Sequence, residues 1–119
     1  MIAAGAMPDL SKLESALAAD PDNLRYGSEY RQAVIQAKEY ERSLKFFEKL
    51  VADHPTSANA YLNYGFAYVD KIPASGSITQ VILANTALSH FSKSIEIKPS
   101  WIALYTRADQ VSDMSTSPL

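Results

Sequence analysis

The stretch from Ala58 to Lys71 constrains the fold most, because its aromatic residues recur at helical spacing. Tyr61, Tyr64 and Tyr68 lie three and four positions apart, so they share one stripe of a helix. Gly65 lies within this stripe, although glycine inside a helix costs about 1 kcal/mol relative to alanine. We therefore predict that a second helix crosses at Gly65 too closely for a side chain.

A second pattern, a small residue followed by phenylalanine and proline, occurs twice at one spacing: Ser43, Phe47, Pro55 and Ala87, Phe91, Pro99. Together with the aromatic stripe, it resembles the tetratricopeptide repeat, whose pattern is W-x2-L-G-x2-Y…A-x3-F…P. Tyr61 takes the place of the tryptophan and Tyr64 that of the leucine. Gly27 and Arg31 depart from the pattern, since they stand where the aromatic residue and the glycine belong.

The prolines give the repeat length. Pro21 and Pro55 are 34 residues apart, which is the length of one tetratricopeptide repeat. Pro55 and Pro99 are 44 residues apart, so the second repeat contains ten additional residues. These fall around residues 72–82, where Pro73 and Gly76 indicate a loop before the next helix.

The resemblance implies an all-α fold, a right-handed α-solenoid of about six antiparallel helices. Apolar periodicity, caps and prolines predict the helices Asp9–Asp20, Leu24–Lys38, Glu39–Asp53, Ala58–Lys71, Ile78–Ile97 and Ser100–Val111. Two capping boxes are predicted at helix starts, Ser11 with Glu14 and Ser77 with Gln80. The sixth helix has two registers, with either Tyr105 and Asp109 or Leu104, Ala108 and Val111 in the pattern positions.

The domain organisation follows from these helices. Residues 9–112 form a single repeat domain with an insertion at 72–82. Residues 1–8 are expected to be a disordered leader, because they are apolar but too short and lack the basic start of a signal peptide. Residues 113–119 are polar and without period, and we expect them to be a frayed tail.

The composition of the chain excludes several classes of function and of binding site. The net charge is −2 and the pI is about 5.6, so no basic field is present to bind nucleic acid. The absence of cysteine excludes disulfides and thiolate metal sites. No apolar run approaches the length of a membrane span. His54 and His90 lack ligands or catalytic partners at suitable spacing, and His90 is expected to point outward. We expect a cytoplasmic, non-enzymatic protein without cofactor or metal.

The family binds partner segments in a concave groove formed by the first helix of each pair. Transferred to this chain, the groove consists of Arg25, Ser28, Gln32, Ile35, Asn59, Leu62, Asn63, Phe66, Val69 and Asp70. The expected partner is another protein or a peptide segment, of mixed apolar and polar character because Arg25 is roughly offset by Asp70. Some family members bind acidic C-terminal tails with two lysines, two asparagines and an arginine. The corresponding places in this chain hold Ser28, Gln32, Asn63, Ala103 and Arg107, so both lysines are missing and binding of such tails is not expected.

The lengthened fifth helix suggests a second contact surface. Its first turns contain Ile78, Val81, Ile82 and Leu83, which reach beyond the neighbouring helix. Either Ile72, Pro73 and Ala74 fold back over these side chains, or the side chains form an exposed patch. An exposed patch suggests an alternative function, a structural protein that forms homo-oligomers through helix 78–97 or through an unfinished end of the solenoid.

Overall fold

The computed structural model describes residues 9–99 and 106–108, and these residues contain helices and no strand. The helices are α1 (Leu10–Ala19), α2 (Leu24–Ala37), α3 (Tyr40–Asp53), α4 (Ala58–Lys71) and α5 (Ser77–Ile97), with a 3-10 turn at Ile72–Ala74. The first five of the six predicted helices are confirmed to within one residue at either end. The predicted leader, the register of the sixth helix and the tail lie outside the described residues, of which Thr106–Ala108 are helical.

Short polar side chains begin three of the helices. Asp9, Asn23 and Ser57 each accept a hydrogen bond from the backbone N–H three residues later. Both predicted capping boxes are wrong. α1 begins two residues earlier than a Ser11 cap would place it, because its cap is Asp9, and α5 begins directly after Gly76. The Gln80 carboxamide donates instead to the carbonyl of Ser75, at 2.8 Å.

Glu14 has a different role, because it joins α1 to α2 and α3. It accepts a hydrogen bond from the Tyr30 hydroxyl at 2.5 Å and two from Arg42 at 2.9 and 3.0 Å. Burial alone would raise the pKa of Glu14, but the hydrogen bonds from Arg42 and Tyr30 bring it below the usual range. The same burial raises the pKa of Tyr30, so its hydroxyl remains a donor. This cluster fixes how the first three helices sit together.

α4 belongs to both apolar clusters of the described residues. The larger cluster contains Tyr30, Val34 and Phe47 and is built by α1 to α4. The smaller cluster lies between α4 and α5 and contains Leu62, Ala87 and Phe91. The aromatic stripe predicted for this helix therefore contributes to packing on two sides.

Gly65 lies at the crossing of α4 and α5, as predicted. A Cβ atom at this position would lie 2.5 Å from Cε1 of Phe91 and 3.2 Å from the carbonyl oxygen of Ala87. Phe91 and Ala87 are both completely buried. The helices can approach this closely only because residue 65 has no side chain.

The predicted insertion has two parts. Residues Ile72–Ala74 form the 3-10 turn, and α5 has 21 residues compared with 14 in α3. Insertion of these residues thus lengthens both the connection and the helix, as expected. In the described part of the chain, no helix combines the length and apolar character needed to cross a membrane.

Candidate partner-binding surface

α2 and α4 lie side by side and run in the same direction. Contacts join them at their starts, middles and ends: Asn59 to the carbonyls of Pro21 and Asn23, Asn63 to Gly27, and Asp70 to Arg31. The contacts Asn23–Asn59 and Gly27–Asn63 each join residues 36 positions apart. The predicted groove residues of the two helices are therefore brought to one region of the structure.

Arg31 and Asp70 form the strongest polar contact between these helices. Their two hydrogen bonds measure 3.0 Å from Nε to Oδ2 and 2.8 Å from Nη2 to Oδ1. The guanidinium also lies 4.2 Å from the centre of the Phe66 ring. The exposed fractions of the Arg31 and Asp70 side chains are 20% and 9%. Arg25, whose charge was expected to offset that of Asp70, pairs instead with Glu29 on its own helix.

The carboxamides of the predicted groove are engaged inside the protein. Asn59 is buried and donates to the carbonyl of Pro21 at 2.8 Å. Asn63 is buried and donates to the carbonyl of Asn59 at 3.0 Å. Its carboxamide occupies the space above Gly27, where a Cβ atom would lie 2.9 Å from the Asn63 Cγ. Asn59 thus hydrogen-bonds α4 to the start of α2, whereas Asn63 meets α2 only by packing at Gly27.

The predicted groove residues on α2 therefore differ in exposure from those on α4. Those on α2 are exposed, namely Arg25, Ser28, Gln32 and Ile35. Those on α4 are buried or half-buried, namely Asn59, Leu62, Asn63, Phe66, Val69 and Asp70. Phe66 and Val69 pack against the α4–α5 cluster while retaining part of their surface. The result is an apolar floor on α4 beside a polar edge on α2.

A recess of about 320 Å³ extends this surface toward the start of α4. It lies between the beginnings of α2 and α4 and the end of α5, with Leu24, Leu62 and Ala58 as apolar lining and Asp22, Thr56 and Lys98 as polar lining. Leu24, at the rim of this recess, is 60% exposed. Leu24 was not among the predicted groove residues, although its position directly after the cap Asn23 could have suggested it.

The second predicted contact surface is exposed. We define the α5 patch as Ile78, Val81 and Ile82, whose exposed fractions are 80%, 59% and 59%. Leu83 does not belong to it, because it is buried at 6% exposure. Successive positions of a helix point in different directions, so Leu83 faces inward where its neighbour Ile82 faces out. The alternative in which Ile72, Pro73 and Ala74 cover these side chains is wrong.

His90 lies among the tyrosines of α4 and does not point outward as expected. Its ring is stacked on Tyr64, Tyr68 and Tyr61, with centroid distances of 4.0, 5.5 and 6.5 Å. Burial lowers the pKa of His90, because the charged imidazolium is less well solvated there than in water. The tyrosine spacing on α4 was visible in the sequence, but nothing in the sequence indicated which residue of α5 faces it.

This arrangement predicts a loss of stability in mild acid. An unfolded histidine titrates near pH 6.5. Because the folded pKa is lower, the unfolded state takes up the proton first as the pH falls, and stability is lost from about pH 6.5 downward to the folded pKa. We expect the melting temperature to decrease between pH 7.5 and 5.5. The decrease should be much smaller in His90→Phe, which keeps an aromatic ring on the tyrosines.

The matched control is His54→Asn, which leaves His90 in place and should retain the pH dependence of the parent. Differential scanning calorimetry at four pH values in this range measures the effect. An equal slope in the parent and in His90→Phe would show that His90 is not the group responsible.

Within the described residues, no group of three or more His, Cys, Asp or Glu side chains is placed to hold a metal ion. Compared with models of protein families and with curated proteins, the sequence matches none of them. A functional assignment for this chain therefore rests on its residues and their geometry.

Proposed function

We propose that this protein is a cytoplasmic interaction module, an adaptor that binds a segment of another protein along the face formed by α2 and α4. The observation that carries the proposal is the parallel pair of helices, with corresponding contacts 36 residues apart. This separation is close to the 34-residue period of a tetratricopeptide repeat. It supports a right-handed solenoid of that type, in which the first helices of successive pairs line a common groove.

The chemistry of the face favours a partner of mixed apolar and polar character. Phe66 and Val69 provide an apolar floor, and Ser28 and Gln32 provide uncharged hydrogen-bonding groups beside it. The charged groups are paired within the protein, Arg31 with Asp70 and Arg25 with Glu29. A partner segment that is apolar on one side and uncharged on the other would bury the floor without separating these ion pairs.

Selection of peptides from a displayed random library tests the proposal without knowledge of the natural partner. We expect enriched peptides to bind the parent chain and to lose at least about tenfold in affinity for Ile35→Asp. Ile35 is exposed on α2, so an aspartate there should leave the fold intact. The control is Ile82→Asp, an exposed isoleucine on α5, which should bind the peptides as the parent does.

The salt dependence of peptide affinity provides a second measurement in the same experiment. Because Arg25 is paired with Glu29 and Arg31 with Asp70, we expect the dissociation constant to change by less than about threefold between 50 and 150 mM salt. Peptides that bind Ile35→Asp as well as the parent, or whose affinity collapses with salt, would contradict the proposed surface.

A further inference from the structure

Arg31 is held in place on α2 by two separate contacts with α4. Its Nε and Nη2 atoms donate to the Asp70 carboxylate, and its guanidinium lies 4.2 Å from the centre of the Phe66 ring. Along α2, Arg31 follows Ser28 by three residues and precedes Ile35 by four, and both of these residues are exposed. Since residues three and four positions apart share one side of a helix, Arg31 belongs to the α2–α4 face.

Part of the Arg31 guanidinium remains free for a partner. Of the five N–H groups of a guanidinium, Asp70 uses two, which leaves one on Nη2 and two on Nη1. Within the described residues Nη1 makes no hydrogen bond. The one buried side-chain polar atom without a partner in that part of the chain is Ser43 Oγ, so Nη1 is accessible to water. Its N–H groups are therefore donors whose direction is fixed by the two contacts with α4.

The charge of the Arg31–Asp70 pair indicates which acceptor fits these donors. Together the two side chains are neutral, and the Asp70 side chain is only 9% exposed. A partner carboxylate at Nη1 would face the Asp70 carboxylate across a single guanidinium, and like charges at such close range repel each other. A carbonyl oxygen can accept from the same N–H groups without this repulsion. The site therefore favours an uncharged amide carbonyl.

The surroundings of Arg31 indicate how such a carbonyl is presented. In an α-helix the main-chain carbonyls accept hydrogen bonds from N–H groups of the same helix, whereas an extended segment leaves them free. Beside Arg31, the half-buried Phe66 and Val69 offer apolar surface to the side chains that flank such a carbonyl. A fixed donor next to an apolar floor thus fits an extended segment that carries apolar side chains.

We propose that Arg31 recognises an extended partner segment by donating from Nη1 to one of its main-chain carbonyl oxygens. This inference rests on the function proposed for the α2–α4 face, and it names the chemical group of the partner that the face recognises. Because Asp70 and Phe66 already order the guanidinium, binding requires little further ordering of the Arg31 side chain.

Affinity measurements with the peptides selected for the proposed function test this role. Arg31→Met combined with Asp70→Ala removes the donors without leaving an unpaired charge, and it should bind the peptides at least about tenfold more weakly than the parent does. The matched control is Lys49→Met combined with Asp53→Ala, which removes an exposed ion pair from α3 and should bind as the parent does. All variants should retain the parent's helical circular dichroism.

A second variant replaces the double variant at Arg31 and Asp70 if that variant does not fold. Arg31→Lys keeps a positive charge beside Asp70, but lysine lacks the second edge of the planar guanidinium. The same loss of affinity, at least about tenfold, is expected.

Replacement of single main-chain amides of the peptide by esters separates recognition from support of the fold. An ester carbonyl is a weaker acceptor than an amide carbonyl, so an ester at the recognised position should weaken binding to the parent about fivefold. The same ester should weaken binding to the variant lacking Arg31 no further, because the donor is already absent. Alanine replacement of each Asn and Gln of the peptide shows whether a side-chain carboxamide takes this place instead.

These measurements distinguish failure of the Arg31 role from failure of the proposed function. Peptides that bind Ile35→Asp as tightly as the parent would contradict the proposed face and, with it, the role of Arg31. Peptides that lose affinity for Ile35→Asp but bind the variant lacking Arg31 like the parent would leave the face in place and overturn the role of Arg31. The main-chain assignment is also overturned if no ester has an effect that depends on Arg31, or if the dependence follows an Asn or Gln side chain.

Discussion

Replacement of Gly65 by leucine should lower the free energy of unfolding by about 3 kcal/mol. Already the Cβ atom would lie 2.5 and 2.6 Å from the Phe91 ring, and this ring is completely buried. The backbone oxygen of Ala87, at 3.2 Å, limits any shift of α5 to one side. The gain in helix propensity is at most about 1 kcal/mol, so overpacking dominates. For a domain of this size, the melting temperature should fall on the order of 15 °C.

Leucine substitutions at two further glycines serve as comparisons for this loss of stability. A Cβ atom at Gly76 would meet nothing within 4 Å, so Gly76→Leu should lose less than about 1 kcal/mol. Because Gly27 lies off the repeat pattern, the sequence predicts that it is more forgiving of substitution than Gly65. A Cβ atom at Gly27 would nevertheless overlap the Asn63 carboxamide. Gly27→Leu should therefore be clearly destabilised as well. If thermal unfolding shows that Gly65→Leu lowers the melting temperature as little as Gly76→Leu does, the close crossing of α4 and α5 is contradicted.

Removal of Asp70 should have the second largest effect, a loss of about 2 kcal/mol and a melting temperature lower by roughly 10 °C. Asp70→Ala would leave the Arg31 guanidinium, only 20% exposed, without its carboxylate. The control is Asp53→Ala, which breaks a pair with Lys49 on the surface of α3. Asp53 is more than half exposed and lies at a helix end that disfavours negative charge, so little change is expected.

A double variant shows whether the unpaired guanidinium causes the loss. Arg31→Met combined with Asp70→Ala removes both charges and keeps a flexible apolar chain near the Phe66 ring. It should be more stable than Asp70→Ala alone. If Asp70→Ala and Asp53→Ala cost the same, the Arg31–Asp70 pair does not hold α2 to α4 as inferred.

The helices could be predicted from the sequence because their signals are local. Asn23 and Ser57 cap the turns that follow them, and an apolar period of three to four residues marks the buried side of each helix. The crossing at Gly65 was also predictable, since a glycine in a strongly helical stretch implies a close neighbour. These inferences need only residues within one or two helical turns.

The details of the candidate surface could not be predicted in the same way. The partner of Arg31 is 39 residues away and is chosen by how α2 and α4 lie against each other. The burial of Asn63 depends on Gly27 of another helix, and the environment of His90 depends on the rotation of α5 about its axis. Exposure of the α5 patch depended on the path of the 3-10 turn at Ile72–Ala74. Each of these outcomes is a property of packing between distant segments.

The division of the apolar residues into two clusters has a consequence for local unfolding. The smaller cluster joins α5 to α4, whereas α1, α2 and α3 are held by the larger cluster and by Glu14. Detaching α5 would therefore leave the larger cluster in place, so this helix can behave as a separate cooperative unit whose opening costs less than unfolding the whole chain. The stacked His90 and the Phe91 ring would become accessible in the same event.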